Sequence, residues 1–396
     1  MQVLVANLGS TSFKYRLYQL GNGQSQLLAG GGSERVTDHG VAIDNALTKL
    51  AGEGHFRTHG SLDAIGFKTV FGGNLTGCLL ADQCVEQALL GNADLAPAHN
   101  PAYAAGLRFF RERLPDVPRV ALFETAFYQW MPEYARRYAV PAAWHQAGVR
   151  RHGFHGASHK YVAERSAQLL GRDDIAEVVS ELYTHGPRTI PGAPLRVISC
   201  HLGGSSSVTA IMDGVAFATS MGLSPQSGLP QNNRVGELDS AALPFAMRRL
   251  GLTVSQAEKQ LATEAGLLGL SGVSNDLRDI KAAADRGDAR AQLTLDTFIF
   301  NIRHWIGAFW LEMGGCDALV FTGGIGENNT WLREGVCAGL DSLGLTFDTE
   351  RNAIAPPESD LSSSDSSTRV IVIPANEELV VARETARLVA SLQTHA

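Results

Sequence analysis

The chain has 396 residues, of which 44% are hydrophobic and 18% charged, so it can bury a sizeable core and global disorder is excluded. Its 33 Lys and Arg residues against 40 Asp and Glu residues leave a formal net charge of −7, which argues against nucleic acid or an anionic membrane as the main ligand. The length favours two domains, and an acidic protein that handles anions must do so at a local site.

Targeting, membrane and disulfide signals are all weak in this sequence. The opening Met1–Val5 lacks the basic region and long apolar run of a signal peptide, and no stretch approaches the roughly 18 uninterrupted apolar residues of a membrane span. The cysteines are scattered without CxxC spacing, which indicates reduced, mostly buried thiols; they are Cys78, Cys84, Cys200, Cys316 and Cys337. We therefore expect a cytoplasmic protein without a membrane partner.

The first predicted elements form a hairpin around a polar turn. Val3–Ala6 and Tyr15–Leu20 are short apolar runs typical of strands, and Asn7–Lys14 separates them. The Asn22-Gly23 pair that follows favours a second tight turn.

The same plan recurs about half a chain later. Val197–Ser207 again contains a strand-like run, a polar residue, Leu-Gly and a serine-rich turn; Val208–Met212 is the next predicted strand, and Asp213-Gly214 closes the hairpin. Such self-similarity indicates an internal duplication. The 42 glycines exceed the roughly 7% that is usual, and they concentrate at the ends of these strands.

Elsewhere, predicted helices and strands alternate, as in an α/β protein. The predicted helices are Pro101–Leu114, Ala157–Leu170, Gln292–Leu311 and Glu377–Leu392, and the predicted buried strands are Arg119–Phe123, Ala318–Thr322 and Val370–Ile373. The strongly apolar Gln292–Leu311 favours a buried helix over a cofactor-binding element. Tyr183–Leu195 and Pro356–Thr368 are predicted loops, the second a surface excursion before the last strand.

Two polar turns are candidates for binding phosphate. In the first, Asn7, Ser10, Ser12 and Lys14 combine an amide, two hydroxyls and a cation with backbone N–H groups, although an ordinary hairpin turn stays open as the alternative. The turn is not a Walker A sequence, because the Gly-Lys-Ser/Thr element is absent. The related turn at His201–Ser207 favours the phosphate interpretation, since two such turns facing one cleft suit a nucleotide.

A third glycine-rich segment, Phe321–Asn329, follows a predicted strand. Its spacing is not GxGxxG, so a Rossmann dinucleotide site is disfavoured. Its glycines would let the backbone approach an adenine or a ribose closely, and an ordinary strand–helix turn is the alternative.

Several charged residues are candidates for chemistry. His155 and His159 are four residues apart, as in metal-ligating pairs, but the Glu of HExxH is absent; contact with a transferring anion, structural hydrogen bonding and metal ligation all stay open. Arg234 is a surface residue unless a cleft lies beside it. Glu124 directly follows four apolar residues, where a carboxylate is costly unless it is paired, and this favours an active-site role. Glu377, also after a strand, would suit Mg²⁺ directly or through water.

Taken in order, these motifs resemble those of the acetate kinase family along essentially the whole chain. The matching segments are Asn7–Lys14, Phe71–Gly73, Phe123–Phe127, Gly153–His159, His201–Ser207, Arg234–Asp239, Asp276–Arg278, Gly324–Asn328 and Asn376–Glu378. The resemblance implies two duplicated α/β domains of the actin-like ATPase (ribonuclease H-like) type with a nucleotide cleft between them. We expect an N-terminal acyl-kinase domain of residues 1–148 completed by 375–396, and a nucleotide-binding domain of residues 149–374.

The resemblance also implies a reaction and the residues that perform it. The family reversibly makes acyl phosphate and ADP from a short carboxylate and ATP with Mg²⁺, for which Mn²⁺ is the alternative, and is expected to be a homodimer. By position, the implied catalytic residues are Glu124, His155 and Arg234, and the metal-associated residues are Asn7 and Glu377. The implied carboxylate site is Lys68, Val70, Leu95, Phe154 and Pro225. The implied ATP contacts are Ser10, Ser12, Lys14, His201, Leu202, Gly203, Gly204, Ser205, Asp276, Leu277, Arg278, Gly324, Ile325, Gly326, Glu327 and Asn328.

Several positions depart from the family pattern at the implied site. Lys68 replaces Arg and so loses a bidentate fork, while Glu124 replaces Asp and places its carboxylate one methylene further out. Gly204 replaces Asn, Asn232-Asn233 replaces Gly-Thr, and Tyr128 replaces His. We predict direct in-line phosphoryl transfer from ATP to a short carboxylate, most simply acetate. The alternatives are propionate or another small carboxylate, or a diverged nucleotide-binding relative with weak activity.

Overall fold

The computed structural model of the protein describes residues 1–21, 23–55, 62–97 and 99–394. The strands are β1 (Gln2–Gly9), β2 (Ser12–Gly21), β3 (Gln24–Glu34), β4 (Ala64–Thr69), β5 (Cys78–Leu80), β6 (Arg119–Phe123), β7 (Arg196–Leu202), β8 (Ser206–Met212), β9 (Val215–Thr219), β10 (Ala318–Thr322), β11 (Ser359–Asp360) and β12 (Arg369–Val372). The predicted turn at Asn22-Gly23 falls partly outside the described residues, because Asn22 is not among them.

Helices connect these strands and cover the sheets. They are α1 (His39–Gly52), α2 (Gln83–Gly91), α3 (Asn100–Arg113), α4 (Glu133–Arg136), α5 (Ala142–Gln146), α6 (Gly156–Leu169), α7 (Asp173–Ser180), α8 (Leu182–His185), α9 (Ala242–Leu250), α10 (Val254–Thr263), α11 (Gly266–Ser271), α12 (Leu277–Asp285), α13 (Ala289–Glu312), α14 (Gly323–Asn328), α15 (Thr330–Cys337), α16 (Thr349–Ile354) and α17 (Glu377–Thr394). Among the described residues, no helix combines the length and the apolar character that crossing a membrane requires.

The strands form two six-stranded mixed sheets with the same topology. The first has the order β3-β2-β1-β4-β6-β5, and the second, taken from its opposite edge, has the order β9-β8-β7-β10-β12-β11. In both, an antiparallel three-stranded meander is followed by two parallel strands and an antiparallel edge strand. The predicted duplication and the predicted α/β fold class are therefore confirmed.

The central strands are buried because helices lie on both faces of each sheet. In β1, the side chains of Val3, Leu4 and Val5 are all buried, although neighbouring residues of a strand point to opposite faces. Helix α3 packs on one part of this sheet, and α17 packs on β1, β4 and β6. This arrangement turns the carboxyl ends of β1, β4 and β6 toward a common edge, where polar residues follow the apolar runs.

The C-terminal helix α17 returns to the first sheet. A Cβ atom at Gly66 of β4 would lie 2.5 Å from Oγ1 of Thr385, so the glycine allows α17 to approach the strand closely. On another face α17 contacts α6, and Lys160 of α6 and Glu384 of α17 form a fully buried ion pair of 2.9 Å. The division into residues 1–148 with 375–396 and 149–374 stays a prediction.

Two sequence predictions need correction. Helix α13 is only half buried, since Phe298 and Ile302 are in the core while Phe300 is 67% exposed; its apolar residues continue round the helix beyond the core-facing stripe. The segment 356–368 is not a simple surface excursion, because β11 pairs with β12 and the side chain of Leu361 is buried.

The cysteine prediction is confirmed. All five thiols are free, and Cys200, Cys316 and Cys337 are buried while Cys84 is exposed. Burial raises the pKa of Cys337 to about 12 and that of Cys200 well above its ordinary value, so these thiols behave as small apolar side chains.

Candidate active site

A cavity of about 160 Å³ lies where the strand ends of the first sheet meet loops of the second half. Asn7 of β1, Lys68 of β4 and Glu124, directly after β6, approach it from the first half. Among the described residues, the lining consists of Asn7, Lys68, Val70, His99, Tyr103, Glu124, Phe154, His155, Ser205, Pro225 and Arg234. Positions far apart in sequence therefore converge on one small, charged space.

Lys68 lies between two carboxylates, with 20% of its side chain exposed. Its Nζ lies 3.2 Å from Oε1 of Glu124 and forms a short hydrogen bond to Oε2 of Glu377, the first residue of α17. Burial alone would lower the pKa of Lys68, but the charges of Glu377 and Glu124 raise it well above its ordinary value. Lys68 is therefore a stable cation held between two acidic side chains.

The two carboxylates around Lys68 differ in their surroundings. Burial, only partly opposed by Lys68, raises the pKa of Glu124, whereas Lys68 and then His201 lower the pKa of Glu377 against its burial. One oxygen of Glu124, Oε2, is buried without a hydrogen-bond partner. A buried acceptor of this kind is costly unless a ligand group or a cation meets it.

The chain is tightly constrained where it presents His155. His155 precedes α6 in the left-handed conformation, with φ of 59°, which is strained for a residue with a side chain. The next residue, Gly156, donates its N–H to the carbonyl of Glu124 at 2.9 Å, and a Cβ there would lie only 2.3 Å from that carbonyl oxygen. Tyr128 donates its hydroxyl to the carbonyl of Phe154 at 2.5 Å. These contacts position His155 relative to Glu124.

Three histidines cluster behind the cavity wall. The rings of His155 and His201 stack with centroids 4.2 Å apart, and the ring centroid of His159 lies 6.4 Å from that of His155. Burial, followed by the neighbouring imidazoles, lowers the pKa of His155 and of His159 well below the ordinary value. Both rings are therefore neutral near pH 7. Their ring nitrogens contact serine hydroxyls, which supports structural hydrogen bonding for His159 over metal ligation.

Arg234 is half-buried at the cavity wall and not a plain surface residue. Its Nη1 makes only long contacts, 3.4 Å to Oγ of Ser205 and 3.4 Å to Oε1 of Gln231, so its donors are weakly used. Gln231 is held more firmly, accepting from Ser205 at 2.7 Å and donating to the carbonyl of Pro225 at 2.7 Å. A guanidinium with spare donors suits an anionic ligand.

Two departures from the family pattern lie against each other. Asn232 donates its backbone N–H to the carbonyl of Gly204 at 3.3 Å, and a Cβ on Gly204 would lie 3.3 Å from the Asn232 side-chain nitrogen. The side-chain amide of Asn232 thus lies beside Gly204. Oδ1 of Asn232 is buried without a partner.

One end of the cavity is apolar. Phe154, which lines it, belongs to a buried cluster with Phe71, Ala96 and Met221, against which Val70 and Leu95 pack. Val70 and Pro225 line the cavity as well, whereas Leu95 contacts only the cluster behind it. The predicted carboxylate site is therefore a small space with a charged end and an apolar end.

Apart from Asn7, the candidate residues of the first polar turn lie outside this cavity. Ser10 and Thr11 form the tip between β1 and β2, and Lys14 forms an exposed ion pair of 3.0 Å with Glu34. Lys14 instead lines a second cavity of about 460 Å³, which shares Asn7 with the first. In the second turn, Ser205 reaches the first cavity and Ser206 bonds back to Gly203.

The two segments implied to bind adenosine are likewise not in the cavity lining. Asp276 caps α12 and pairs with Arg278 at 2.6 Å, an exposed arrangement in which Arg278 lowers the pKa of Asp276 to about 2. The predicted glycine loop 323–328 is a helix, α14, whose Gly323 packs on Leu202 with φ of 77°. Space beside Gly324 is open, and Oε1 of Glu327 accepts from the N–H of Ala375.

The residues around Asn7 and Glu377 fit a hard divalent cation. Asn7 Oδ1, Glu377 and the unpaired oxygen of Glu124 are oxygen donors. Among the described residues there is no group of three or more His, Cys, Asp and Glu side chains that would hold a metal by themselves. The oxygen donors fit Mg²⁺, which usually takes one or two carboxylates and completes its shell with water and substrate phosphates.

Two cavity residues, His99 and Tyr103, are missed by the sequence interpretation. The Tyr103 hydroxyl donates to Oδ1 of Asn7 at 2.9 Å. Burial, followed by the charges of Arg234 and Lys68, lowers the pKa of His99. Both lie at the N-terminus of α3, whose start is marked in the sequence by Pro101. That start is the signal that would have pointed to them, because helix N-termini commonly face anion sites.

Comparison with known proteins places the chain in a family. A model described as the acetokinase family matches residues 31–383. The chain is 38% identical to the acetate kinase of Methanosarcina thermophila, over 98% of this chain and 97% of that protein. It superposes on the Porphyromonas gingivalis acetate kinase with a TM-score of 0.86 at 33% identity, covering 98% of this chain and 99% of that one. For a propionate kinase from Francisella tularensis subsp. tularensis SCHU S4 the TM-score is 0.84 at 31% identity, with 98% and 99% covered.

The duplicated fold and these relatives define a phosphotransferase with a carboxyl group as acceptor. The chain belongs to the acetokinase family.

Proposed function

We propose that the protein transfers the terminal phosphoryl group of ATP to the carboxylate of acetate, giving acetyl phosphate and ADP, with Mg²⁺. The supporting observation is one small cavity that holds Lys68 from the first half and His155 and Arg234 from the second, beside an apolar end. Such a space suits a short acid, whose methyl group meets Phe154 and Val70 while its carboxylate faces the charged groups.

The reaction is an in-line displacement. A bond forms between a carboxylate oxygen and the phosphorus, the bond from phosphorus to the bridging oxygen breaks, and that oxygen leaves with its electron pair on ADP. The protein contributes position and charge. Lys68 holds the acid as a point charge, and Arg234 and the neutral ring of His155 donate to the equatorial oxygens of the transferring group. These donors act inside a cavity of low dielectric, where they are worth most.

Asn7 and Glu377 would hold the magnesium ion. When bound, the ion would neutralise charge on the phosphates of the nucleotide. Glu124 keeps Lys68 in place through the 3.2 Å ion pair. The turn Gly203–Ser205 and the segments 276–278 and 324–328 are proposed to contact ATP. Ser10, Ser12 and Lys14 are proposed to contact it from the other half.

Trapping of the product tests the proposal. Purified protein with ATP, Mg²⁺, acetate and hydroxylamine should form acetyl hydroxamate. Arg234→Ala should lower kcat by about 10²- to 10³-fold with ATP affinity retained, because its charge is needed in the transition state. No acyl hydroxamate from any acid of two to four carbons, with ADP binding intact, would refute the proposal, and a normal kcat for Arg234→Ala would refute that residue's role.

A second candidate is a kinase of propionate or another small carboxylate. The observation in its favour is the Lys68–Glu124 pair in place of the family's Arg and Asp, because it reshapes the charged end of the cavity. A substrate panel read by ADP release separates the two, since the preferred acid is the one with the highest kcat/KM. The homodimer and the cytoplasmic location stay predictions.

A further inference from the structure

A chain of buried hydrogen bonds leads away from the His155 ring. Nδ1 of His155 lies 2.8 Å from Oγ of Ser207, and the same oxygen lies 2.8 Å from Nε2 of His159. On its other side, Nδ1 of His159 lies 2.8 Å from Oγ of Ser199. Ser207, His159 and Ser199 are completely buried. Solvent therefore does not compete for these bonds, and each proton in the chain must be shared among these groups.

The Ser207 hydroxyl couples the tautomers of the two rings. A hydroxyl has one proton to donate, so with two neutral imidazoles as neighbours it donates to one ring nitrogen and accepts from the other. If it donates to Nδ1 of His155, the proton of that ring is on Nε2, and His159 donates its own Nε2–H to Ser207. Ser199 then donates to Nδ1 of His159. If the chain runs in the opposite direction, His155 Nε2 is a bare acceptor.

Only one direction of the hydrogen-bond chain through Ser207 suits an anionic ligand in the cavity. The cavity is lined by His155, whose Nδ1 is taken by Ser207, so Nε2 is the nitrogen left for a ligand. An Nε2–H donates to a phosphoryl oxygen, whereas a bare Nε2 turns its lone pair toward that oxygen and repels it. The direction of the hydrogen bonds through Ser207, His159 and Ser199 thus decides whether the His155 ring attracts or repels an anionic ligand.

We infer that Ser207, His159 and Ser199 are positioning residues that hold His155 in the Nε2–H tautomer for the transferring phosphoryl group. The inference rests on the proposed function. His201 fixes the plane of the His155 ring by stacking on it. His201 is held in turn by Ser158, whose Oγ lies 2.8 Å from Nδ1 of His201. The strained backbone at His155 places the ring where Ser207 and the cavity can both be reached.

The kinetic test removes the hydroxyl. Ser207→Ala should lower kcat by about 10- to 100-fold, the range found when the outer partner of a functional histidine is lost, while KM for both substrates changes little. Ser166→Ala is the matched control, because Ser166 is equally buried on α6 but bonds only to backbone carbonyls of its own helix. Equal kcat values for Ser207→Ala and wild type would overturn the inference.

The spectroscopic test does not depend on turnover. Two-bond ¹H–¹⁵N spectra of histidine-labelled protein at pH 7 report the tautomer of each ring, and His155→Gln assigns the signal. We expect His155 as Nε2–H in the wild type and a shift toward Nδ1–H in Ser207→Ala. An Nδ1–H ring in the wild type, or no change in the variant, would overturn the inference even if acyl hydroxamate forms. An inactive wild type with the expected spectra would instead refute the proposed function alone.

Two variants of His159 cover the case in which Ser207→Ala fails to fold. His159→Gln places an amide N–H near the position of Nε2 and can still donate to Ser207, whereas His159→Asn reaches only toward Ser199. The first should keep most of kcat and the second should lose it, at similar thermal stability. Equal kcat for the two variants would contradict the directional chain.

Discussion

Lys68 shows how a substitution can preserve charge and still change a site. Its single charge sits between Glu124 and Glu377, so an incoming acid shares this charge with two side chains of the protein. An arginine would present a planar fork of five donors, whereas an ammonium holds its partners as a compact point charge. In this protein, Oε1 of Glu124 lies 3.2 Å from the Lys68 ammonium.

Gly204 and Asn232, two departures from the family pattern, lie against each other and should be coupled energetically. Gly204→Asn should lower the free energy of unfolding by about 1 kcal/mol, because the new side chain begins 3.3 Å from the Asn232 amide. Adding Asn232→Gly should recover about half or more of the lost free energy of unfolding, since the side chains at positions 204 and 232 compete for the same space. Urea unfolding of the four proteins measures the coupling. Strictly additive free energies would contradict it.

Two helices that begin at the site are joined by a buried ion pair. Helix α6 follows His155 and α17 begins at Glu377, and Lys160 and Glu384 link them 2.9 Å apart with only 1% and 2% of their side chains exposed. Tyr183 places its ring 5.3 Å from the Lys160 ammonium. The link ties the position of one site residue to that of the other.

Removing one partner of this pair should be costly. Lys160→Met should lower the free energy of unfolding by about 3 kcal/mol, the low end for breaking a buried pair, because Glu384 keeps its partly exposed partner Arg387. Lys160→Met with Glu384→Leu should cost less than Lys160→Met alone. Arg165→Ala is the control, since its pair with Glu358 is one-third exposed and is worth less than about 1 kcal/mol. Urea unfolding measures all three. A double variant as unstable as Lys160→Met would disprove the argument.

The start of α6 gives a second test of how a helix positions the site. Gly156→Ala should lower kcat by about 100-fold, since its Cβ would meet the Glu124 carbonyl at 2.3 Å and a shift of about 1 Å in His155 follows. Gly307→Ala, within α13 and with open space around it, should leave kcat unchanged and slightly raise stability. Steady-state kinetics and thermal unfolding decide it; a normal kcat for Gly156→Ala is the contrary outcome.

Buried histidines make the whole molecule sensitive to acid. Burial lowers the pKa of His152 to about 4, whereas an imidazole in the unfolded chain titrates near 6.5. Between these values the unfolded state binds a proton that the folded state does not. Stability therefore rises with pH in this window and is lost as pH falls from about 6.5 toward 4.

This pH dependence can be assigned to one side chain. His152 packs its ring against Phe71, so His152→Leu keeps an apolar contact and removes the titrating group. Between pH 6.5 and 4.5, the slope of unfolding free energy against pH should fall by about 1.4 kcal/mol per pH unit, the value for one proton. The other histidines contribute equally to both proteins. Identical slopes in urea unfolding at several pH values would rule the assignment out.

The duplicated plan of the molecule could be predicted because each copy is encoded locally. Strands β1, β2, β7 and β8 are visible as apolar runs around a polar turn, and β6 and β10 as short buried runs. The half-exposed face of α13 could not be predicted, since its apolar residues cover more of the helix than the core does. The short strand β11 was also missed, because its two polar residues show no hydrophobic alternation. They form a strand only by pairing with β12.

By itself, the sequence determined several of the strands and helices, the repetition of one hairpin plan and the motifs that place the chain in its family. These are local signals, since periodicity, turns and motifs need only neighbouring residues. Only the tertiary structure decided the state of the site. Lys68 and Glu377 are 309 positions apart, and the bond between them, the orphaned oxygen of Glu124 and the neutral histidines exist because packing removes these groups from water together. Burial and distance set their charges, and neither quantity is written in the spacing of residues along a chain.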